Sequence, residues 1–147
     1  MKIELNKEQY KTLVEMLFLG NWIANATRTG ADDDPILSKY EDFEALIHSL
    51  ANHDDLGEDF ILKADGEYFT SQNFEESLMP LIEEYDQRVF MEQLPIELGN
   101  RDWLRELGPV RELTDEHIER RNEWISIYEN EMDKNGLKNI IVKNLKD

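Results

Sequence analysis

The 147-residue chain contains no cysteine, and its 33 acidic side chains against 16 basic ones give a formal charge of −17. The missing thiols exclude disulfide scaffolds, iron–sulfur clusters, thiolate zinc sites and cysteine nucleophiles, and this length suits one domain that folds without a covalent or metal staple. No run approaches 18 uncharged apolar residues and no leader-like segment opens the chain, so the expectation is a soluble, cytoplasmic, mainly α protein.

The charge is uneven. Residues 1–30 carry three acids and four bases (+1), residues 31–99 nineteen and three (−16), and residues 100–147 eleven and nine (−2). Such a field repels phosphate backbones and accelerates encounter with basic surfaces, so a nucleic acid is not an expected partner and a basic protein is.

Ile3 and Leu5 alternate with charged residues, as in a short strand, and Asn6 is placed to cap a helix carrying Tyr10, Leu13, Val14, Leu17 and Phe18 at helical spacing. That helix should reach Thr27 or Arg28. Asp34 before Pro35 predicts the cap of a second helix, with Ile36, Tyr40, Phe43, Leu46, Ile47 and Leu50 as its buried stripe. Phe60 to Leu62 face Tyr68 and Phe69 across Asp65-Gly66, a dipeptide that accepts the positive φ angles of a tight hairpin. From Asn73 the pattern is helical again, but Pro80 predicts a kink or a division, Asp86 a new cap, and Pro95 with Gly99-Asn100 a disturbance and a stop. Thr114 opens a last helix that Asn135-Gly136 ends, and Ile140, Ile141 and Val142 could form a strand pairing with Ile3 to Leu5. The sum is a compact helical bundle, residues 1–147 as one domain, with five or six helices and one or two short β-ribbons.

Catalytic motifs are weak. His53-Asp54-Asp55-Leu56-Gly57 resembles the His-Asp stretch of HD-type metal-dependent phosphohydrolases, but the earlier histidine, His48, points about 140° away around the same helix. Glu41 with Glu44 and Glu83 with Asp86 have the i,i+3 spacing by which helical nucleotide pyrophosphohydrolases hold magnesium, at an unsuitable separation. Asp32, Asp33 and Asp34 lack the following ligands of an EF-hand loop, no serine sits in a Gly-x-Ser-x-Gly turn, and no phosphate-binding glycine loop exists.

The informative polar feature is on the first helix. Continuing the Val14 and Phe18 stripe gives Asn21, Asn25 and Arg28, so the inward side turns polar. Two outcomes follow: a closed network in which Arg28 pairs with a carboxylate such as Asp86, or a cleft lined by Asn21, Trp22, Asn25 and Arg28 that accepts an anionic group.

Glu84, Tyr85 and Asp86, followed by Phe90, Leu94, Leu98, Arg101, Asp102 and Arg105, resemble the signature of a family of small, acidic, uncharacterised bacterial proteins, and Glu8 to Tyr10 and Gly20 to Trp22 resemble its N-terminus. The resemblance implies a bacterial cytosolic setting and transfers no catalytic or binding residue. The expected function is a non-enzymatic interaction module that meets a basic protein or another copy of itself, with no membrane contact and no cofactor. The alternative is a metal-dependent hydrolase of phosphorylated small molecules, with His53 and Asp54 as ligands.

Overall fold

A computed structural model describes residues 2–51 and 57–141. Among them the chain is mainly helical, with four α-helices and one antiparallel hairpin: α1 Lys7–Asn25, α2 Ser38–Leu50, β1 Ile61–Ala64, β2 Glu67–Thr70, α3 Gln72–Leu107 and α4 Asp115–Asn135. They group into two compact units, residues 1–83 and 84–147.

In the first unit, Asn6 caps α1 as its side chain predicts. Its Oδ1 accepts the Gln9 N–H at 2.9 Å while Gln9 Oε1 accepts the Asn6 N–H at 3.0 Å, so two otherwise orphaned donors are satisfied reciprocally. Asp65 (φ 53°) and Gly66 (φ 88°) make the tight turn between β1 and β2, which sets Leu62 opposite Phe69 and Lys63 opposite Tyr68. The core is aromatic. Phe60 lies 6.1 Å from Tyr10 and 5.1 Å from Phe74, ring centroid to ring centroid, with Val14, Ile61 and Leu78 buried around them. The Tyr10 hydroxyl donates to the Ile47 carbonyl at 2.8 Å, which fastens α1 to α2.

Three expectations are corrected. The second helix starts at Ser38, and Asp34 does not cap it: its carboxylate accepts the Thr29 N–H at 2.9 Å and closes the preceding loop. Ile3 to Leu5 form no strand, and the described part of the tail, residues 137–141, is turn and irregular chain; Val142 to Leu145 lie outside the described residues. Five or six helices become four, because α3 runs unbroken through Pro80, Pro95 and Gly99. A proline inside a helix costs about 3 kcal/mol, yet here packed stripes outweigh it: Phe74, Leu78 and Ile82 are buried around Pro80, and Pro95, Gly99 and Trp103 recur every four residues as a second buried row.

The second unit is an antiparallel helical pair, the later part of α3 against α4. Gly99 permits the approach, since a Cβ there would stand 2.7 Å from the Ile125 backbone. Polar pairs flank this contact. Asp102 accepts both Arg101 Nε at 2.8 Å and Arg105 at 3.0 Å and also bonds the Tyr128 hydroxyl, while Arg120 grips Glu106 at 2.9 and 3.0 Å. The hydrogen bonds from Arg101, Tyr128 and Arg105 hold the Asp102 carboxyl far below the usual carboxylate range. Arg121 donates to Asn100 Oδ1 at 2.6 Å. The capping box at Thr114 opens α4, and Gly136 (φ 57°) ends it, both where the sequence predicts.

Candidate functional site

The first unit contains a cavity of about 560 Å³ between α1, α2, β2 and the first turn of α3. Its volume falls within the roughly 300 to 1,000 Å³ typical of small-ligand sites. Phe18, Trp22, Tyr68 and Phe69 supply apolar and aromatic walls, and Asn21, Asn25, Glu41, Glu44, His48, Thr70 and Glu75 supply the polar groups. Three carboxylates line it, and among the described residues no lysine or arginine does.

A directed chain of hydrogen bonds orients the site. The Leu37 N–H donates to Asn25 Oδ1 at 2.9 Å, Asn25 Nδ2 to Asn21 Oδ1 at 2.7 Å, and Asn21 Nδ2 to Glu44 Oε2 at 2.7 Å. A backbone N–H can only donate, so each amide's orientation is fixed in turn and the chain ends on a carboxylate acceptor. Thr70 donates to Glu75 at 2.5 Å in the same way. The fixed backbone donor of α2's entry segment therefore sets the direction of a Glu44 side chain 23 residues away from Asn21 in sequence.

His48 is the deepest polar group, 4% exposed, and its Nε2 has no hydrogen-bond partner. That atom stands 3.9 Å from Glu44 Oε1, beyond hydrogen-bond reach. Burial pushes the imidazole below its ordinary value of 6.5, although a hydrogen bond to the Tyr68 backbone and the charge of Glu75 act the other way. With its proton on Nδ1, the neutral imidazole presents a lone pair at this unpartnered Nε2. Glu44 moves in the opposite sense: burial raises its carboxyl, the Asn21 hydrogen bond opposes the rise, and the nearby Glu75 and Glu41 charges add to it.

A pH signature follows. His48, faced by Glu41 and Glu44 from α2, Glu75 from α3 and Tyr68 from β2, resists protonation in the folded state. The unfolded chain then takes up the proton first, so the stability His48 contributes is present above 6.5 and lost as pH falls toward its depressed folded value. Urea unfolding at pH 7.5 and 5.5 should show a steeper loss for the wild type than for His48→Gln; equal losses would contradict the assignment.

Asn21, Trp22 and Asn25 line the cavity, but Arg28 does not. Arg28 Nε donates to the Ala24 carbonyl at 2.9 Å, and its Nη1 reaches the Pro35 carbonyl at 3.3 Å and Asp34 at 3.5 Å. The carboxylate beside it is thus Asp34, while Asp86 is exposed on α3 in the second unit. With Arg28 outside the lining and three carboxylates in it, the cavity suits a cation, not the anionic group of the cleft that was one of the two outcomes the sequence left open. His53 and Asp54 lie outside the described residues, and among the described residues no group of three or more His, Asp or Glu side chains is placed to hold a metal ion.

In the sequence Glu44 and His48 stand out only as metal-motif residues and not as partners of Asn21 and Asn25, because apolar periodicity aims α2 differently. The predicted stripe leaves Tyr40, Phe43, Leu46 and Leu50 at least 40% exposed, and the buried face runs instead through Glu44, Ile47 and His48. A signal was present: Asn21 and Asn25, four apart on α1, need polar partners, and Glu44 and His48 are a polar pair four apart on the next helix.

No helix among the described residues is long and apolar enough to cross a membrane. Comparison with family models, with curated proteins and with solved structures returns no match, so the reading of this site rests on its own geometry.

Proposed function

We propose that the protein is a non-enzymatic binding module whose first unit receives a cationic group, presented by a basic protein partner, in the cavity between α1, α2 and β2. The observation that supports this most is the lining itself: Glu41, Glu44 and Glu75 with no lysine or arginine among the described lining residues, walled by Trp22, Tyr68 and Phe69. Carboxylates supply charge, and aromatic faces attract cations by about 0.5 to 2 kcal/mol each. Tyr68 already accepts one in this way, with Lys63 Nζ 4.9 Å from its ring centroid.

A foreign basic partner fits better than a second copy. Of the arginines from residue 101 to 121 that a second copy could offer, Arg101, Arg105, Arg120 and Arg121 are engaged by Asp102, Glu106, Glu123 and Asn100 of their own unit, which leaves the exposed Arg111. The acidic segment from residue 31 to 99 steers such a partner, and the cavity holds one of its side chains.

Titration of a lysine-containing peptide, read by Trp22 and the other indoles, tests the reading. Exchange of Glu41, Glu44 and Glu75 for glutamine should weaken binding at least tenfold, since losing a partner of a desolvated charge costs about 2 kcal/mol or more. Neutralising Glu84 and Glu92, which lie outside the cavity, should change it less than twofold. Equal effects of the two sets would contradict a specific site.

A further inference from the structure

Resting on the proposed cation-binding role, a sharper assignment concerns the inner end of the cavity. His48 and Glu44 both line it, and His48 Nε2, buried and without a partner, stands 3.9 Å from Glu44 Oε1. In the neutral tautomer with its proton on Nδ1, His48 offers a lone pair there, and two acceptors so placed stabilise nothing without a donor between them. The other carboxylate oxygen is spoken for, since Glu44 Oε2 accepts from Asn21.

We propose that His48 Nε2 and Glu44 Oε1 form a two-acceptor cradle for a cation that carries N–H bonds, a primary ammonium or a guanidinium, and that they select it against quaternary ammonium. A nitrogen about 2.9 Å from both acceptors sees them at an angle of about 85°, within reach of two N–H bonds after modest bending. The bond to Glu44 is charge-assisted, and the one to His48 satisfies an acceptor that is otherwise buried unpaired. Glu75, held by Thr70 through its Oε1, adds a second negative charge to the cavity wall. A quaternary cation has no hydrogen to give and leaves the His48 lone pair unsatisfied. A divalent metal finds only these two ligands, since the described residues place no third His, Asp or Glu with them.

The ammonium or guanidinium has two sources, a free small amine or a lysine or arginine side chain of the partner. Calorimetry on the full chain at pH 7.5 distinguishes both the chemistry and the source, with n-butylammonium, butylguanidinium, butyltrimethylammonium and an alanine-flanked lysine peptide as probes. The cradle requires n-butylammonium or butylguanidinium to bind at least tenfold tighter than butyltrimethylammonium. His48→Leu should erase that ratio, and His48→Gln, whose amide oxygen can accept, should keep part of it. Should the leucine variant fail to fold, the wild-type ratio and the glutamine variant still decide. A peptide tighter than the free amine names a protein source, and the reverse order a metabolite-sized amine; both orders support the cradle.

Equal affinity for primary and quaternary cations would overturn this inference while leaving the cation-binding role standing. Failure of every cation to bind would overturn both. Displacement of bound amine by millimolar magnesium or manganese, with metal-induced shifts of the His48 ring, would replace the cradle with a metal site.

Discussion

Phe60→Ala should lower unfolding stability by about 3 to 5 kcal/mol, the cost of deleting a buried phenylalanine side chain and leaving part of its volume as a cavity. Phe60 is 4% exposed and packed between Tyr10 and Phe74, so no neighbour can leave its helix to fill the gap. The consequence extends to the site. Phe60 precedes β1, and its carbonyl accepts the Ser71 N–H at 2.8 Å just beyond Thr70, so the same cluster positions the strand that carries Tyr68 to Thr70. Chemical denaturation should therefore show the loss together with weaker cation binding at equal folded fraction. Leu81→Ala, at a side chain 55% exposed, should stay within about 0.5 kcal/mol and serves as the control. A Phe60→Ala loss below 1 kcal/mol would mean that this aromatic cluster is not the core of the first unit.

Gly99→Ala sets two magnitudes against each other. Helix propensity favours alanine by about 1 kcal/mol in a helix interior. Against that, the new Cβ would meet Ile125 Cα and N at 2.7 Å and its side chain at 2.8 Å. Backbone atoms cannot rotate away as a side-chain tip can, so the helices must separate, and overpacking of this kind costs up to about 3 kcal/mol. The expected net is a destabilisation of about 2 kcal/mol, seen as a lower urea midpoint with little change in slope. Separation would also stretch the Asp102–Tyr128 and Glu106–Arg120 contacts that flank the glycine. A stabilised Gly99→Ala protein would show that propensity dominates and that α3 and α4 do not approach so closely.

Both positions were visible in the sequence for reasons other than the ones that matter. Gly99 read as a helix stop, because glycine before asparagine commonly ends a helix; its use is steric, and only the partner helix reveals that. Pro80 and Pro95 read as breaks for a similar reason, since local rules count a lost hydrogen bond but not the buried rows through Phe74, Leu78 and Ile82 and through Pro95, Gly99 and Trp103 that carry α3 across. Features decided within a few residues were legible: the Asn6 and Thr114 caps, the Asp65-Gly66 turn and the Gly136 end. Half of the candidate site was legible too. Asn21, Trp22 and Asn25 followed from the polar turn of the α1 stripe, whereas the sign of the cavity did not. It depended on Arg28 turning to Asp34 and the carbonyls of Ala24 and Pro35, and on α2 rotating Glu44 and His48 inward, and both are settled by contacts between segments.

The central claim is that the cavity of the first unit takes a cation. Its most direct test is a titration of the ¹⁵N-labelled full chain with N-acetyl-lysine methylamide, following the side-chain amides of Asn21 and Asn25 and the Trp22 indole N–H. Saturable shifts concentrated on those three signals, with none from an equal concentration of inorganic phosphate, are the predicted result. Shifts of the same signals by phosphate and not by the lysine derivative would contradict it.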